Sequence, residues 1–171
     1  MRLITFHGLS GSGKTHVAKA YSTWASVPVI EASDVWLEYC KVNNHPRTQM
    51  LPNEVFYEQI MNAIPSGEST VLLVGFPRDC SSQSYLDSWL QQGNELREHI
   101  AILVDAPLFI ARQRAMQRSR AEIEHWFSRL KFFVDKEFEL ILKLDHSGVL
   151  RRVESSISNN ELSALLGRIN Q

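Results

Sequence analysis

The sequence contains few cysteines and no long apolar segment. Cys40 and Cys80 are the only two cysteines among 171 residues, too few for a disulfide framework, and no Cys/His cluster has zinc spacing. The longest apolar runs, residues 71–74 and 100–104, are far shorter than the ~18 residues of a membrane span. No basic stretch followed by a long apolar one appears after Met1, so we expect no signal peptide. These features predict a soluble, cytoplasmic protein with reduced thiols and no membrane partner.

An excess of charge of either sign is also missing. Lys plus Arg number 18 and Asp plus Glu 19, which gives a formal net charge of -1. This balance provides no global field to attract nucleic acid, so we expect no nucleic-acid partner, and any anion site must be local. The hydrophobic share of 44% is that of an ordinary globular protein. A chain of 171 residues fits one domain, which we expect to act as a monomer.

Short apolar runs alternate with longer helical patterns, which predicts an α/β fold around a parallel sheet. Each run is continuously apolar, as expected of strands that are buried on both faces. The five predicted strands are residues 3–6, 27–30, 70–74, 100–104 and 149–153. The predicted helices are residues 13–24, 34–42, 53–64, 82–92, 107–118, 122–144 and 159–169, the last capped by Ser158.

The segment Gly8-Leu9-Ser10-Gly11-Ser12-Gly13-Lys14-Thr15 fits the pattern G-x-x-x-x-G-K-[ST] between a predicted strand and a predicted helix. Glycines let backbone N–H groups turn inward around phosphate oxygens, and the helix start adds its positive end. Lys14 would reach the outer phosphates, and the Thr15 hydroxyl is the candidate ligand of Mg²⁺. A glycine-rich turn with an incidental lysine would not explain the flanking strand and helix. We therefore predict a site for ATP and Mg²⁺ formed by Gly8, Ser10, Gly11, Ser12, Gly13, Lys14, Thr15 and His16.

A phosphate loop indicates a nucleotide but not a reaction, since GTPases, ATPases and kinases share it. The segment Gly75-Phe76-Pro77-Arg78-Asp79 resembles the D-G-F-P-R segment of adenylate kinases and related nucleoside monophosphate kinases. Residues 32–34 and 51–55 are similar to the segments that open the family's two acceptor-binding helices, and residues 102–107 to its fourth strand. The resemblance therefore covers most of the chain.

This resemblance implies a single domain, residues 1–171, with the three-layer α/β/α fold of P-loop NTPases, a five-stranded parallel sheet and a short lid. The core would comprise residues 1–30, 65–114 and 130–171, the acceptor-binding insert residues 31–64, and the lid residues 115–129. The implied activity is phosphate transfer from ATP to a small acceptor, a nucleoside monophosphate. In the family the arginine of the D-G-F-P-R segment binds the acceptor's phosphate, a role that the resemblance gives to Arg78.

Arginines further along the chain make independent chemical sense. Arg114 and Arg118 are four residues apart and share one helix face. Fixed guanidinium groups stabilise the negative charge that spreads over a phosphoryl group in transfer. The alternative is a solvated basic helix. The family's lid arginines match Arg114, Arg118 or Arg120, and Arg129, so the predicted catalytic residues are Lys14, Arg78, Arg114, Arg118 and Arg129.

Three positions depart from the family pattern. Val74 replaces the acidic residue that holds Mg²⁺ through water, which leaves Thr15 and, as a second candidate, Asp34. For Asp34 an ordinary helix cap is the alternative. Leu37 replaces an acceptor-binding arginine, for which Arg47 or Lys41 are substitutes or merely surface charges. The adenine-reading glutamine falls on Ser82, with Gln83 one place later, so the predicted substrate-binding residues are Asp34, Arg78 and Gln83.

These departures keep two other functions open. A P-loop kinase could act on another small acceptor, and a nucleotide-binding module could have little or no turnover. A short lid also excludes water poorly, which predicts slower transfer or some hydrolysis of ATP. The histidines beside the loop, His7 and His16, have no partner at metal or triad spacing and are more typical of structural residues.

Overall fold

The computed structural model describes residues 1–47, 49, 51–92, 98–118 and 120–167, but not the side chains of residues 118 and 120–125. The strands are β1 Arg2–His7, β2 Val29–Glu31, β3 Thr70–Val74, β4 Glu98–Asp105 and β5 Leu150–Glu154. The helices are α1 Lys14–Ala25, α2 Ala32–Val42, α3 Asn53–Asn62, α4 Cys80–Gln91, α5 Leu108–Arg118, α6 Arg120–Phe132, α7 Phe138–His146 and α8 Asn159–Gly167. A π-helical segment, Phe133–Glu137, joins α6 to α7.

The strands form one parallel sheet in the order β2-β3-β1-β4-β5. This confirms the predicted α/β fold and its five-stranded sheet. In the register, Phe6 of β1 pairs with Val74 of β3 and with Ile102 of β4. Strand β2 begins two residues later than predicted. Pro28 precedes it and lacks the N–H that the ladder requires, although its carbonyl accepts from Leu72 N.

Both faces of the sheet are covered by helices, so the structure has three layers. Alternate residues of β1 point to opposite faces, with Ile4 and Phe6 on one side and Leu3 on the other. The first face packs against α1 and α8 through Val17, Ala18, Tyr21, Leu162 and Leu166. The second packs against α3, α4 and α7 through Tyr57, Ile60, Met61, Leu86, Leu140, Ile141 and Leu144.

The long helix predicted over residues 122–144 is interrupted. The structure replaces it by α6, the π-helical segment and α7, which together run from Arg120 to His146. Ser158 caps α8 as predicted. Its hydroxyl accepts from Glu161 N–H over 3.3 Å, and the Glu161 carboxylate accepts from Ser158 N–H over 2.9 Å, which completes a capping box.

The site region lies at the carboxyl edge of the sheet. Strand β1 is central. The connection from β1 leads to β2 on one side, and the connection from β3 crosses β1 to reach β4 on the other, so the direction of the connections reverses between β1 and β3. Open parallel sheets bind ligands at such a reversal. Among the helices of the described part of the chain, none combines the length and the hydrophobicity needed to cross a membrane.

Candidate phosphate-binding site

The phosphate loop runs from the end of β1 to the start of α1. Ser12 N–H donates to Leu9 O over 2.9 Å, which closes the turn. Gly13 precedes the helix in the left-handed conformation, with φ 98°, and its carbonyl accepts the first helical bond from Val17 N–H over 3.0 Å. The N–H groups at the start of α1 have no partner within the helix and lie at its positive end. The loop therefore has the local structure that its sequence pattern predicts.

Glycine at position 11 is required by a close backbone contact. A Cβ atom built on Gly11, whose φ is 88°, would lie 2.1 Å from the carbonyl oxygen of Ala111 in α5. At Gly8 the same atom would lie 2.5 Å from Val104 O. Real Cβ atoms do not approach backbone oxygens this closely, so the loop is packed directly against β4 and α5.

The loop fits an anion in two respects. Lys14 Nζ donates to Gly8 O over 2.9 Å and to Leu9 O over 3.3 Å, so its ammonium group lies over the entry of the loop. The Ser12 hydroxyl is buried and has no hydrogen-bond partner among the described residues. A buried hydroxyl in this state costs free energy unless another group binds it. A phosphate oxygen could accept a hydrogen bond from the Lys14 ammonium group and from the Ser12 hydroxyl.

Two predicted arginines lie against the loop. Arg114 Nη1 donates to Ser12 O over 3.3 Å and to the Ser155 hydroxyl over 3.1 Å. Arg129 Nη1 donates to the Ser10 hydroxyl over 3.3 Å. Trp126 Nε1, from the same helix as Arg129, donates to Ser10 O over 3.3 Å. The helices after β4 therefore bring two cations to the loop from distant parts of the sequence.

Arg78 contacts an aromatic ring at the end of α6. Its side chain is exposed, and its guanidinium carbon lies 4.6 Å from the ring centroid of Phe132, the last residue of α6. A guanidinium at this distance is attracted by the ring face. The backbone of Arg78 is fixed as well, because its N–H donates to the Ser82 hydroxyl over 2.9 Å.

Sequence reasoning missed Glu137. Its side chain is only 7% exposed, and Gly8 N–H donates to its Oε1 over 3.5 Å. Burial raises the pKa of this carboxyl, whereas Lys14, Arg78 and the Gly8 N–H each lower it. A signal was present, since Glu137 interrupts an otherwise apolar stripe of residues at helical spacing that faces the core. The stripe consists of Phe133, Glu137, Leu140 and Leu144.

The predicted acceptor residues have other contacts. Ser82 is buried and forms a capping box with Asp79, whose carboxylate accepts from Ser82 N–H over 2.8 Å. Gln83 is 3% exposed, and its Nε2 donates to Asp87 over 2.7 Å. The part of both residues in substrate binding stays a prediction. Leu37 lies on α2 and is 40% exposed.

The candidate metal residues lie in the first turns of two different helices. Thr15 lies in the first turn of α1 and is half-buried, and Asp34 is exposed in the first turn of α2. The helix-cap interpretation of Asp34 is wrong, because Glu31 holds the N-cap position. Val74 is buried in the sheet. Within the described residues, no three His, Cys, Asp or Glu side chains cluster closely enough to hold a metal ion.

Two further predictions concern residues beside these. His16 is exposed on α1, next to Thr15. Arg118 ends α5, but its side chain, like that of Arg120, lies outside the described part of the structure. The choice between Arg118 and Arg120 therefore stays a prediction.

A buried polar network lies beneath the loop. The Thr5 hydroxyl is 2.8 Å from His7 Nε2 and 2.9 Å from His99 Nε2. One hydroxyl can donate to one imidazole and accept from the other when both rings are neutral. Burial is the main cause that lowers the pKa of His7 to about 3 and that of His99 to about 4. These values agree with the structural interpretation of His7.

Two cavities border the region. One of about 880 Å³ lies between α5 and α6 and has a mainly apolar lining that includes Leu108, Phe109, Met116, Phe127 and Leu130. The other, of about 350 Å³, is lined in part by Gly8, Leu9 and Ser12. The cationic side chains described above lie at the loop and not in the larger cavity. The position of the positive charge therefore identifies the phosphate site better than the volume of a cavity does.

Comparison with known proteins agrees with this geometry. Residues 7–126 match a family model described as AAA domain. The adenylate kinase of a Nitratiruptor species is 25% identical over 120 residues, which is 68% of this chain and 62% of the relative. The adenylate kinase of Thermotoga neapolitana is 25% identical over 130 residues, 69% of this chain and 59% of the relative.

A third relative, an adenylate kinase of Helicobacter pylori, is 26% identical over 118 residues, 67% of this chain and 62% of the relative. The matched part of the chain thus spans about three fifths of the length of the curated relatives. These matches confirm the resemblance drawn from residues 75–79 and from the phosphate loop.

Proposed function

Because the chain belongs to the family described as AAA domain and is similar to adenylate kinases, we propose that it is an ATP-dependent phosphotransferase of the nucleoside monophosphate kinase type. The reaction is ATP + NMP to ADP + NDP. One observation carries this proposal: Arg114 and Arg129 both donate to residues of the phosphate loop that contains Lys14. A bare nucleotide-binding turn does not need this convergence, whereas transfer of a charged phosphoryl group does.

In the proposed mechanism, the loop N–H groups and Lys14 bind the β- and γ-phosphates of ATP, and Thr15 is the residue that would hold Mg²⁺. Bound there, the ion would supply neutralisation of the phosphate charge. Arg78, held by the ring of Phe132, positions the acceptor's phosphate. Arg129 and Arg114 stabilise the equatorial oxygens as charge spreads over them, and Arg118 is a further candidate. An acceptor phosphate is already anionic, so this reaction requires no general base.

The test is turnover with ATP, Mg²⁺ and each common nucleoside monophosphate, measured as formation of the diphosphate. We expect at least one monophosphate to be phosphorylated. We also expect Lys14→Met to reduce kcat by roughly 10²-fold or more, since a charge aimed at the transition state is lost. No diphosphate from any monophosphate would contradict the proposal.

A second acceptor class is favoured by one observation. Ser82 uses both its N–H and its hydroxyl in the cap of α4, and Gln83 Nε2 donates to Asp87, which leaves Gln83 Oε1, without a partner among the described residues, as the one side-chain atom of this pair that could contact a base. A P-loop kinase for another small phosphorylated metabolite has no need of such a group. A panel of sugar phosphates and other small acceptors, assayed beside the nucleotides, separates the two.

A binding module with little turnover is the third candidate, and the buried Val74 favours it. Tight binding of ATP without transfer to any acceptor, unchanged in Val74→Asp, would support it. Release of phosphate from ATP without an acceptor tests the short-lid prediction separately. That the chain acts as a monomer stays a prediction.

A further inference from the structure

We propose that Glu137 is a positioning residue whose carboxylate serves as the internal counter-ion of Lys14 and Arg78, the cations of the donor and the acceptor phosphate. The inference rests on the proposed function for the roles of these two cations. It adds a charged group, from an element far along the chain, that sets how strongly the site attracts phosphate.

The backbone of Gly8 connects Glu137 to Lys14. Gly8 N–H donates to Glu137 Oε1 over 3.5 Å, and Gly8 O accepts from Lys14 Nζ over 2.9 Å. The carboxylate and the ammonium group thus bind the same residue at the entry of the phosphate loop. A shift in the position of the Glu137 carboxylate can therefore move the Lys14 ammonium group through the backbone of Gly8 alone.

The π-helical segment brings Glu137 and Arg78 to the same side. Phe132, whose ring contacts the Arg78 guanidinium, precedes Glu137 by five residues. In a regular α-helix two such residues would point roughly 140° apart, whereas five residues are close to the repeat of a π-helix. The side chains that hold Arg78 and face Gly8 therefore share one face of the helix.

Burial makes the charge of Glu137 consequential. A carboxylate that is 7% exposed loses most of its hydration and needs cations or N–H groups in compensation. Lys14, Arg78 and the Gly8 N–H are the groups that lower its pKa against the effect of burial. In return, the carboxylate reduces the repulsion between the two cations.

This role has two opposite consequences. The carboxylate competes with phosphate for the same cations, so removal of its charge strengthens the binding of polyphosphate. The carboxylate also holds the Lys14 and Arg78 side chains in position, so removal of its charge slows phosphoryl transfer. A purely structural role, limited to accepting the Gly8 N–H, predicts neither effect when the acceptor oxygen is retained.

The experiment compares Glu137→Gln with the parent. Glutamine keeps an oxygen that accepts the Gly8 N–H and removes the charge. The matched control is Glu139→Gln, which removes an equal charge from an exposed position on α7. Binding of inorganic tripolyphosphate is measured by calorimetry at pH 8 and low salt. We expect Glu137→Gln to lower Kd by roughly tenfold and the control to change it less than about twofold, because an exposed charge is screened.

In the kinase assay, we expect Glu137→Gln to lower both kcat and the KM for ATP. Parent-like Kd and kcat, or weaker binding of tripolyphosphate, would overturn the proposal. Urea denaturation confirms that each variant is folded. If Glu137→Gln does not fold, the test uses Glu137→Asp, which retains the charge. A parent-like Kd for tripolyphosphate in this variant supports the counter-ion role, and a roughly tenfold change in Kd contradicts it. Since tripolyphosphate binding needs no turnover, failure of the kinase assay alone would count against the proposed function and not against Glu137.

Discussion

The hydroxyl oxygen of Ser10 lies 3.3 Å from a guanidinium nitrogen of Arg129, although 119 positions separate the two residues in the chain. Trp126, one helical turn earlier, donates to the carbonyl of the same serine. Helix α6 is thus fixed to the phosphate loop by two side chains on one face. This contact places a cation beside the phosphate loop, which under the proposed function would bind the outer phosphates of the nucleotide.

We expect Arg129→Lys to lower kcat by roughly 10²-fold while leaving the affinity for ATP within about threefold of the parent. Lysine keeps the charge but lacks the planar fork that can bind two phosphate oxygens at once. Steady-state kinetics with the best acceptor provides the measurement. Arg2→Lys, at an arginine that pairs with Glu98 at the opposite edge of the sheet, is the control and should behave like the parent. A variant at position 129 with parent-like kcat would exclude a part for Arg129 in transfer.

Gly11→Ala should destabilise the fold by more than roughly 3 kcal/mol, since its Cβ would lie 2.1 Å from Ala111 O and the backbone must shift. The control is Gly67→Ala. Gly67 has a similar φ, +87°, but nothing lies within 4 Å of its Cβ, so we expect only the roughly 1–2 kcal/mol cost of a left-handed residue. Urea denaturation measures both. Equal losses in the two variants would show that the loop can move away from α5.

Stability should decrease as the pH falls from about 6.5 toward 4. His7 and His99 have folded pKa values of about 3 and about 4, against 6.5 in the unfolded chain. In this window the unfolded state binds protons that the folded state cannot, so each histidine contributes a slope of roughly 1.4 kcal/mol per pH unit. Glu137, whose pKa is raised by burial, acts in the opposite direction above pH 4.5.

The measurement is urea denaturation of the parent and of His99→Asn between pH 7 and pH 4.5. Removing the half-buried His99 should make the dependence shallower, because one proton fewer is taken up on unfolding. His146→Asn, at an exposed histidine, should retain the full dependence. An unchanged slope in His99→Asn would contradict the assignment of His99 as a neutral, half-buried group.

Ser82→Ala should lower the free energy of unfolding by roughly 1–2 kcal/mol, because the hydroxyl accepts from two backbone N–H groups at the start of α4. If Ser82 is purely structural, the KM for a nucleoside monophosphate stays at the parent value. Ser84→Ala, two residues further along α4 and exposed, is the control for stability. A large rise in KM with little loss of stability would instead place Ser82 in base recognition.

The sequence predicted the elements well where local patterns determine them. Continuous apolar runs identified the five strands, and the glycine spacing of residues 8–15 identified the loop, because both signals lie within short segments. The strand order could not be inferred in this way, since it depends on which edge each helix crosses. The same limit applied to Glu137. Helical spacing placed it toward the core, but only the folded chain shows that the core at this point borders Gly8.

The π-helical segment Phe133–Glu137 also limits how the length of this chain can vary. If the same residues closed into a regular α-helix, α6 would rotate by roughly 100° relative to α7, because each residue of an α-helix turns the chain by about 100°. Leu140 and Leu144 would stay in the core, but Arg129 and Trp126 would turn away from Ser10. A regular α-helix would therefore keep the two halves of the site together only if this segment were one residue shorter.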